Sequence, residues 1–312
     1  METTALIILE YNNSDDTLNC IKSVLRYNSA PVKFIIVDNA SSKQGIIQSI
    51  LSGVHKLFPS LTSKDIVLNP KTTILPKVTV VEAAENQGYA AGNNIGLYYA
   101  YKDSDIKNVM ILNSDILFVE DIIPRLIANL TDGVAIVSPI LFKRDMKSYD
   151  LNCARRSLAN SEILKLHFPI VSDPWHVSAN RKIPFRENTG LKEIELPSGS
   201  CMLAKKSLFK TIGGFDPNTF LYYEEDILWE KIKMLGMRNF LDTNVRCIHL
   251  GATSTKNSPS RFIVNTSTKS AQYLLNNYRN PNILQKVTMS LFRFMIDIRM
   301  RLVEALGKLK VY

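Results

Sequence analysis

Several motifs that mark common enzyme classes are missing from this chain of 312 residues. It contains neither the GxGxxG pattern of dinucleotide-binding folds nor the GxxxxGKS/T pattern of P-loop proteins. It also lacks the GxSxG elbow of serine hydrolases and the HExxH pattern of zinc peptidases. Any phosphate group that the protein binds must therefore be held by a metal ion or by scattered amides.

Cysteine is scarce, and long apolar runs are absent. The four cysteines lie far apart and form no CxxC pair, so we expect neither a zinc site nor a disulfide framework. No uninterrupted apolar run approaches the roughly 20 residues of a membrane span. The first residues also lack the basic start and long apolar stretch of a signal peptide. These features predict a cytoplasmic protein.

What the chain does have is an ordinary globular composition with an excess of positive charge. Hydrophobic residues make up 46% and charged residues 21%, and the net charge is +9. That excess is compatible with nucleic acid, anionic lipid or phosphorylated ligands. We expect no nucleic acid, because the positive charge is spread out without a basic–aromatic motif.

Short apolar segments alternate with segments of helical periodicity along the first half of the chain. The pattern recurs four times, which predicts an α/β fold with a mostly parallel sheet and helices on both faces. Residues 59–76 carry three prolines and are predicted to be an irregular insertion. Residues 142–189 are polar and weakly periodic, so we expect loops and short elements that cover a site.

Polar residues follow four successive predicted strands. Ligands of open α/β sheets bind at the carboxyl ends of the strands. One polar strand end is ordinary turn chemistry, but four in succession favour a ligand-binding rim. In that rim Asp115 is a candidate to hold a cation. The four ends are 10–12 (Glu10, Tyr11, Asn12), 38–39 (Asp38, Asn39), 85–88 (Glu85, Asn86, Gln87, Gly88) and 113–115 (Asn113, Ser114, Asp115).

Two further features carry candidate chemistry. Glu224, Glu225 and Asp226 stand together at a predicted helix start, where they either complement the helix dipole or supply a general base. His249 is either structural or a metal ligand beside Asp115. Aromatic residues around the acids offer stacking faces to a sugar or base: Phe215, Phe220, Tyr222, Tyr223 and Trp229.

The chain resembles the family 2 glycosyltransferases, and most closely their bacterial branch of rhamnosyltransferases of surface-polysaccharide assembly. The resemblance extends over roughly residues 4–255 and rests on segments in the family's order. ENQGYAAGNN (85–94) and GGFDPNTFLYYEED (213–226) are the most specific. The others are LIILEYNNSDDTLNCIKSV, FIIVDNASS, MILNSDI, LPSGSCMLAKKSL and IHLGATST.

The resemblance implies an A-type glycosyltransferase fold, which is a single Rossmann-like domain with a mixed sheet. It implies inverting transfer of a sugar, such as rhamnose, from a dTDP- or UDP-linked donor to a saccharide or lipid-linked acceptor. The implied cofactor is Mg²⁺ or Mn²⁺. In this resemblance Asp38 would bind the nucleobase, with Tyr11 and Asn12 nearby, and the nucleotide-sugar pocket would be lined by Asn86, Gly88, Asn94 and Asn113. Asp115 and His249 would hold the metal, and Asp226 or Glu225 would be the catalytic base. Trp229 is a candidate stacking face for the substrate.

The chain departs from the family pattern at two motifs and in an insertion around 52–76 that is longer than the family leads us to expect. Asn113 replaces the first acid of the Asp-x-Asp motif. The family has a pair of acids before the helix on the acceptor side, whereas this chain has three. The base is therefore either Glu225, which stands at the expected number of residues after Asp216, or Asp226. We prefer Asp226 here because its shorter side chain loses less entropy when it is fixed. A non-catalytic carbohydrate- or partner-binding relative and a sugar nucleotidyltransferase remain as alternatives.

The last residues differ from the rest. We expect a catalytic domain over 1–280 and a basic amphipathic helix over 281–312, with Leu291, Ile298 and Leu302 among its regularly spaced apolar residues. Such a helix either packs on the domain's own core or binds a partner, such as an anionic membrane surface. The protein would then be peripheral on the inner face of the membrane. A homo-oligomer is a further state to test.

Overall fold

The computed structural model describes residues 2–170, 173, 175–251 and 260–309, and within them ten strands and ten α-helices. The strands are β1 (Thr3–Glu10), β2 (Val32–Asp38), β3 (Ile66–Leu68), β4 (Val78–Glu82), β5 (Ile106–Asn113), β6 (Ile116–Phe118), β7 (Val134–Lys143), β8 (Leu191–Ile194), β9 (Cys201–Lys205) and β10 (Arg238–His249). The helices are α1 (Ser14–Tyr27), α2 (Ile46–Leu57), α3 (Tyr89–Lys102), α4 (Ile123–Ala128), α5 (Asn160–Leu166), α6 (Val177–Asn180), α7 (Lys206–Thr211), α8 (Glu224–Met234), α9 (Ser260–Tyr278) and α10 (Ile283–Leu309).

The strands form one mixed sheet in the order β3-β4-β2-β1-β5-β9-β7-β10-β6, with β8 paired to β10. The first five strands in this order are parallel to one another. Strand β9 runs antiparallel to its neighbours β5 and β7. The predicted fold class, a mostly parallel and partly mixed α/β sheet followed by a helical C-terminal part, is confirmed.

The register brings the polar strand ends together. Glu10 at the end of β1 pairs with Asp38 at the end of β2, and Leu9 pairs with Asn113 at the end of β5. Because these strands are parallel, their carboxyl ends meet at one edge of the sheet. The sequence prediction of a polar rim at that edge therefore describes the fold correctly.

Strand side chains alternate between two apolar clusters on opposite faces of the sheet. Leu6 and Ile8 of β1 join the cluster covered by α1, α2 and α4. Ala5 and Ile7 join the cluster covered by α3, α7 and α8. A third cluster lies beneath α5, α6, α9 and α10. The third cluster attaches the C-terminal helices to the domain.

One of two predicted irregular segments differs in detail from its prediction. The insertion at 59–76 contributes β3, a strand that pairs with β4 at the edge of the sheet. Within the described part of 142–189, short elements occur as expected, including a 3₁₀ turn at Leu151–Cys153. Among the helices of the described residues, none combines the length and the apolarity needed to cross a bilayer.

Candidate functional site

A cavity of about 410 Å³ lies at the carboxyl ends of β5 and β10. Asn113 and His249 reach it from those strand ends, and Gly199 reaches it from the loop before β9. Glu225 enters from the first turn of α8, and Arg155 enters from the segment that follows β7. The cavity therefore gathers predicted site residues from both halves of the chain.

His249 lies against Asp115 because of the antiparallel pairing of two short strands. Asp115 stands in the tight turn between β5 and β6, and Ile116 of β6 pairs with His249 of β10. The amide of Leu250 donates to the backbone carbonyl of Asp115 at 3.0 Å. His249 Nε2 thereby lies 3.4 Å from Asp115 Oδ2. The sequence prediction that these two residues are neighbours agrees with this geometry.

A third residue, Asp150, completes the cluster. Its Oδ2 lies 2.8 Å from His249 Nδ1, so the imidazole stands between two carboxylates. Burial alone would lower the pKa of His249, but its hydrogen bonds to Asp115 and Asp150 outweigh burial and raise the pKa to about 10. The two carboxylates therefore favour the protonated form of this imidazole.

The three acids of α8 have different surroundings. Successive residues of a helix point about 100° apart, so adjacent carboxylates face different neighbours. Tyr223 caps the helix with a positive φ of 69°. Glu224 is buried, and its Oε1 has no hydrogen-bond partner among the described residues. Burial and the neighbouring Glu225 carboxylate hold the pKa of Glu224 well above its usual range.

Asp226 is fully buried against Arg181. The Arg181 Nη2 donates to both carboxylate oxygens of Asp226, at 2.9 and 3.1 Å. Burial raises the pKa of Asp226, although the Arg181 cation opposes that rise. Both oxygens of Asp226 are thus engaged by another side chain of the same protein.

Glu225 is the acid of the triplet that is partly exposed. Its Oε1 accepts the amide proton of Gly199 at 2.9 Å and lies 3.3 Å from Arg155 Nη2. Among the described residues, no hydrogen bond reaches its Oε2. Glu225 therefore keeps one oxygen available within the cavity.

The predicted nucleobase residues form a compact network at the ends of β1 and β2. Asp38 accepts the Ser41 hydroxyl proton at 2.5 Å, and the Asn12 amide donates to Ser41 Oγ at 2.8 Å. The Asn12 side-chain carbonyl accepts from the Lys43 amide at 2.8 Å. Tyr11 precedes this network and is half-buried. These residues share the rim with Asn113, as the strand register requires.

Gly88 joins the loop after β4 to the segment before α8. Its φ is +96°, and an added methyl group would lie 2.1 Å from the carbonyl oxygen of Phe220. The next residue, Tyr89, donates its amide proton to that same carbonyl at 2.9 Å. Asn86 closes the turn by accepting from Asn39 and from the Gly88 amide, each at 3.0 Å. Only glycine fits this position without displacing Phe220.

Asn113 is the one predicted substrate residue in the lining of this cavity, and Asn94 and Trp229 make contacts that belong to the fold. The Asn94 side chain donates to the Phe215 carbonyl and accepts from the Phe215 amide, both at 2.9 Å. Trp229 is buried in the apolar cluster beneath α3, α7 and α8. Their proposed contacts with substrate stay predictions.

Three charged cavity residues were missed by the sequence reasoning: Asp150, Arg155 and Arg181. All three belong to the polar segment 142–189, which has no periodicity that could place a side chain. The Gly199 amide was within reach of prediction, because the segment LPSGSCMLAKKSL already stood out. The end of the last motif, residues 252–255, lies outside the described residues.

Within the described parts of the chain, no group of three or more His, Cys, Asp or Glu side chains is arranged to hold a metal ion by itself. The cluster of Asp115, Asp150 and His249 comes nearest to that chemistry. Mg²⁺ commonly takes one or two protein carboxylates and completes its shell with substrate phosphates and water. The residues present fit that incomplete kind of site and do not fit a closed metal cage.

Comparisons with known proteins concern the family and the fold of this chain. The family model "Glycosyl transferase family 2" matches residues 5–213. The chain is similar to the low-salt glycan biosynthesis hexosyltransferase Agl10 of Haloferax volcanii, with 23% identity over 233 residues, 72% of this chain and 60% of that protein. It is also similar to the rhamnosyltransferase WbbL of Escherichia coli, with 27% identity over 48% of this chain and 56% of WbbL.

A shorter similarity links the chain to an N-acetylglucosaminyl-diphospho-decaprenol L-rhamnosyltransferase of Mycobacterium tuberculosis. The identity is 33% over 66 residues, which are 21% of this chain and 22% of that protein. The chain thus spans three-fifths or less of the length of these curated relatives.

Two solved structures share the fold. GalNAc-T7 with UDP, GalNAc and Mn²⁺ has a TM-score of 0.56 at 14% identity, covering 94% of this chain and 54% of that one. The mannosyltransferase PcManGT of Pyrobaculum calidifontis, in complex with GDP-Man and Mn²⁺, has a TM-score of 0.52 at 16% identity, covering 99% and 80%. At such identities the likeness establishes the fold alone. The family model covers well over half of the chain, and the chain belongs to glycosyl transferase family 2.

Proposed function

We propose that this protein is an inverting glycosyltransferase of glycan biosynthesis. Its donor is a sugar linked to dTDP or UDP, with rhamnose as the first sugar to test, and its acceptor is a hydroxyl of a saccharide or lipid-linked saccharide. The observation that carries the proposal is the Glu225 carboxylate, which lines one cavity with Asn113 and with the His249 that pairs with Asp115. The rhamnosyltransferase relatives support the choice of sugar.

Glu225 is proposed as the general base. It takes the place of Asp226, which was preferred from the sequence because its side chain is shorter. A base must reach the acceptor hydroxyl and keep an oxygen free to take its proton. Glu225 meets both requirements, since it lines the cavity and only its Oε1 is engaged. Asp226 has both oxygens on Arg181 and is proposed to position the start of α8.

The proposed reaction is a single displacement. The acceptor oxygen forms a bond to the anomeric carbon while the bond from that carbon to the diphosphate oxygen breaks. The nucleoside diphosphate leaves with the electron pair, and the hydroxyl proton passes to Glu225 Oε2. The Gly199 amide and Arg155 hold Glu225 Oε1 during this transfer. One displacement inverts the configuration at the anomeric carbon.

A divalent cation, Mg²⁺ or Mn²⁺, is proposed beside Asp115. The Asp115 and Asp150 carboxylates supply the hard oxygen ligands that such cations prefer, and His249 stands between them. When bound, the cation neutralises negative charge on the leaving diphosphate. The Mn²⁺ complexes of two proteins with this fold support the choice.

The proposal is tested by nucleotide binding and by transfer. We expect UDP or dTDP to raise the melting temperature only together with Mn²⁺, because a ligand that binds the native state stabilises it by mass action. Asp115→Asn, which keeps the side-chain shape, should lose that shift. Release of nucleoside diphosphate should then require both a sugar donor and an acceptor.

Each result decides between functions. Nucleotide binding without any transfer would identify a non-catalytic relative. Release of pyrophosphate from a sugar phosphate and a nucleoside triphosphate would identify a nucleotidyltransferase. A melting temperature that no nucleotide changes would overturn the proposed donor site.

A further inference from the structure

Helix α10 attaches to the domain through one face only. Met289, Ile296 and Met300 on that face are buried. Met289 joins the third apolar cluster, where it meets Ala271 and Leu274 of α9. Packing on the protein's own core, one of the two alternatives for the C-terminal segment, therefore accounts for this face of the helix.

The opposite face of α10 is apolar as well, and it is exposed. Its side chains recur every three or four residues, so they form one continuous row along the helix. Their exposed fractions run from 42% to 73%. We call this row the outer stripe, and it consists of Leu284, Val287, Leu291, Phe294, Ile298, Leu302 and Leu306.

The outer stripe is too long to be a chance exposure. A helix rises about 1.5 Å per residue, so the stripe extends over roughly 33 Å. Large contiguous apolar patches on a protein surface mark sites where another apolar surface binds. A helix that needed only its own domain would carry polar residues on its outer face. The outer stripe therefore calls for a second partner.

Charge along the helix selects the kind of partner. Segment 283–309 has five basic and two acidic residues. Asp297 pairs with Arg261 of α9 at 3.2 Å and with Arg301 of α10 at 2.8 Å, and Glu304 pairs with Arg261 at 2.9 Å. Both acids are thus neutralised within the protein, and the helical spacing places Arg299 and Arg301 beside the stripe as a basic border. An anionic surface complements that border.

A groove beside the stripe adds cations at the same level. It has a volume of about 620 Å³ between α9 and α10, and Phe294 of the outer stripe lines it together with Lys269, Arg293 and the ion-paired Asp297. Arg293 donates to Gln272 at 2.8 Å, which holds its guanidinium in the groove. A lipid phosphate next to buried acyl chains would meet two cations there, beside an Asp297 carboxylate whose charge Arg261 and Arg301 offset.

Exposed aromatic and apolar residues border the other side of the helix. The Phe168 ring contacts Phe292 of α10 at 5.8 Å and Trp175 at 5.4 Å between centroids. Trp175 and Ile170 are both exposed. Arg299 of α10 donates to the Pro169 carbonyl at 3.1 Å, which ties this segment to the helix. Tryptophan is the residue that favours the level of lipid headgroups.

We propose that the outer stripe, with Trp175, is a membrane-docking surface that lies in the plane of an anionic bilayer. The apolar row enters the acyl boundary, and the basic border meets the headgroups. A second copy of the chain fits less well, because stripe-to-stripe packing would bring two basic borders together. The proposal concerns membrane binding alone and does not depend on the transferase reaction.

The test is sedimentation of the full chain with phospholipid vesicles. We expect binding to vesicles that contain phosphatidylglycerol, weaker binding to phosphatidylcholine alone, and a loss of binding in high salt. The variant Leu291→Ser/Ile298→Ser/Leu302→Ser should bind at least tenfold more weakly. Met234→Ser is the matched control, because Met234 is 86% exposed at the end of α8 and outside the stripe.

Tryptophan fluorescence supplies a second readout of the same surface. The chain has two tryptophans, and Trp229 is buried in the core. A blue shift on vesicle addition would therefore report Trp175, and Trp175→Phe should abolish it. Equal binding by the triple variant and the wild type would overturn the proposal. The proposal would also be overturned if the wild type were a dimer, the triple variant were a monomer and neither protein bound vesicles.

Discussion

Charged side chains on the helix side of the cavity pair across long stretches of sequence, whereas polar side chains on the sheet side combine bonds within local turns with bonds between neighbouring strand ends. On the sheet side, at the ends of β1, β2 and β4, Asp38 bonds to a residue three positions away, and Asn86 bonds to Gly88 in its own turn and to Asn39 at the end of β2. On the helix side, formed by α8 and segment 150–181, Asp226 pairs with a residue 45 positions away and His249 with one 99 away.

The difference teaches where function can be placed in this molecule. The local turns of the sheet side fold with their own strands, and the bonds between strand ends form as the parallel strands pair. The charges of the helix side reach their partners only after the domain has assembled. Each charge there also needs its partner, because a buried charge without one is costly. Substitutions on the two sides should therefore fail in different ways.

The largest effect is expected for Glu225→Gln on the helix side. The amide keeps the shape and can still accept the Gly199 proton, but it cannot take a proton from the acceptor. A general base contributes about 10²–10⁴-fold to rate, so kcat should fall by about that factor. The measurement is donor turnover with acceptor present.

Glu193→Gln is the matched control for this change. Glu193 lies on β8, is exposed and is paired with Arg238 on the surface, so its loss should leave turnover unchanged. A Glu225→Gln enzyme that kept most of its turnover, with Asp226→Asn inactive and still folded, would return the base to Asp226.

The next effect is on stability, for Asp226→Ala. The change leaves the Arg181 guanidinium, whose side chain is 11% exposed, without its carboxylate. Breaking a buried ion pair from one side costs about 3–5 kcal/mol of unfolding free energy. Urea unfolding followed by circular dichroism measures this loss.

A double variant separates the contribution of the ion pair from the contribution of side-chain packing at the same position. Arg181→Met/Asp226→Leu replaces both charges with apolar side chains of similar size, and it should recover most of the stability. A loss below about 1 kcal/mol for Asp226→Ala alone would mean that this pair contributes little. The contrast between the two sides of the cavity would then be weaker than the separations in sequence between bonded residues indicate.

The same contrast explains how far the sequence could predict the structure. Short buried runs such as those at β1, β2 and β5 are continuous in sequence. Their succession along the chain and the polar rim at their ends could therefore be predicted. The partner of Asp226 could not, because no pattern in the chain relates it to Arg181. Asn94 stood in a specific motif, yet the motif could not show that its amide bonds to the Phe215 backbone.

A smaller effect is expected at the junction of the two sides, for Gly88→Ala. The φ of +96° with ψ of −175° belongs to a region that only glycine occupies readily, and strain there costs about 1–3 kcal/mol. The methyl group would also meet the Phe220 carbonyl. Thermal unfolding should show the loss of stability, and nucleotide binding should weaken because the loop after β4 moves.

Gly190→Ala separates the two causes. Gly190 also has a positive φ, +87°, but an added methyl group there meets no atom within 4 Å. It should lose stability through backbone strain alone and keep its nucleotide affinity. If the two variants lost equal stability and affinity, the contact with Phe220 would not connect the two sides.

The smallest effect is expected for Asn94→Ala, which asks whether a motif residue acts on substrate or on the fold. Its amide bonds twice to the backbone of Phe215, which is itself buried. Leaving those backbone groups without partners costs about 1–3 kcal/mol. The free energy of unfolding should therefore fall while the KM for the donor stays near the wild-type value. A rise in KM of tenfold or more at unchanged stability would place Asn94 among the donor contacts after all. The sheet side would then contact the donor through a residue whose hydrogen bonds already reach the loop before α8, 121 positions away, so its bonds to a distant segment would serve substrate binding and not only the fold.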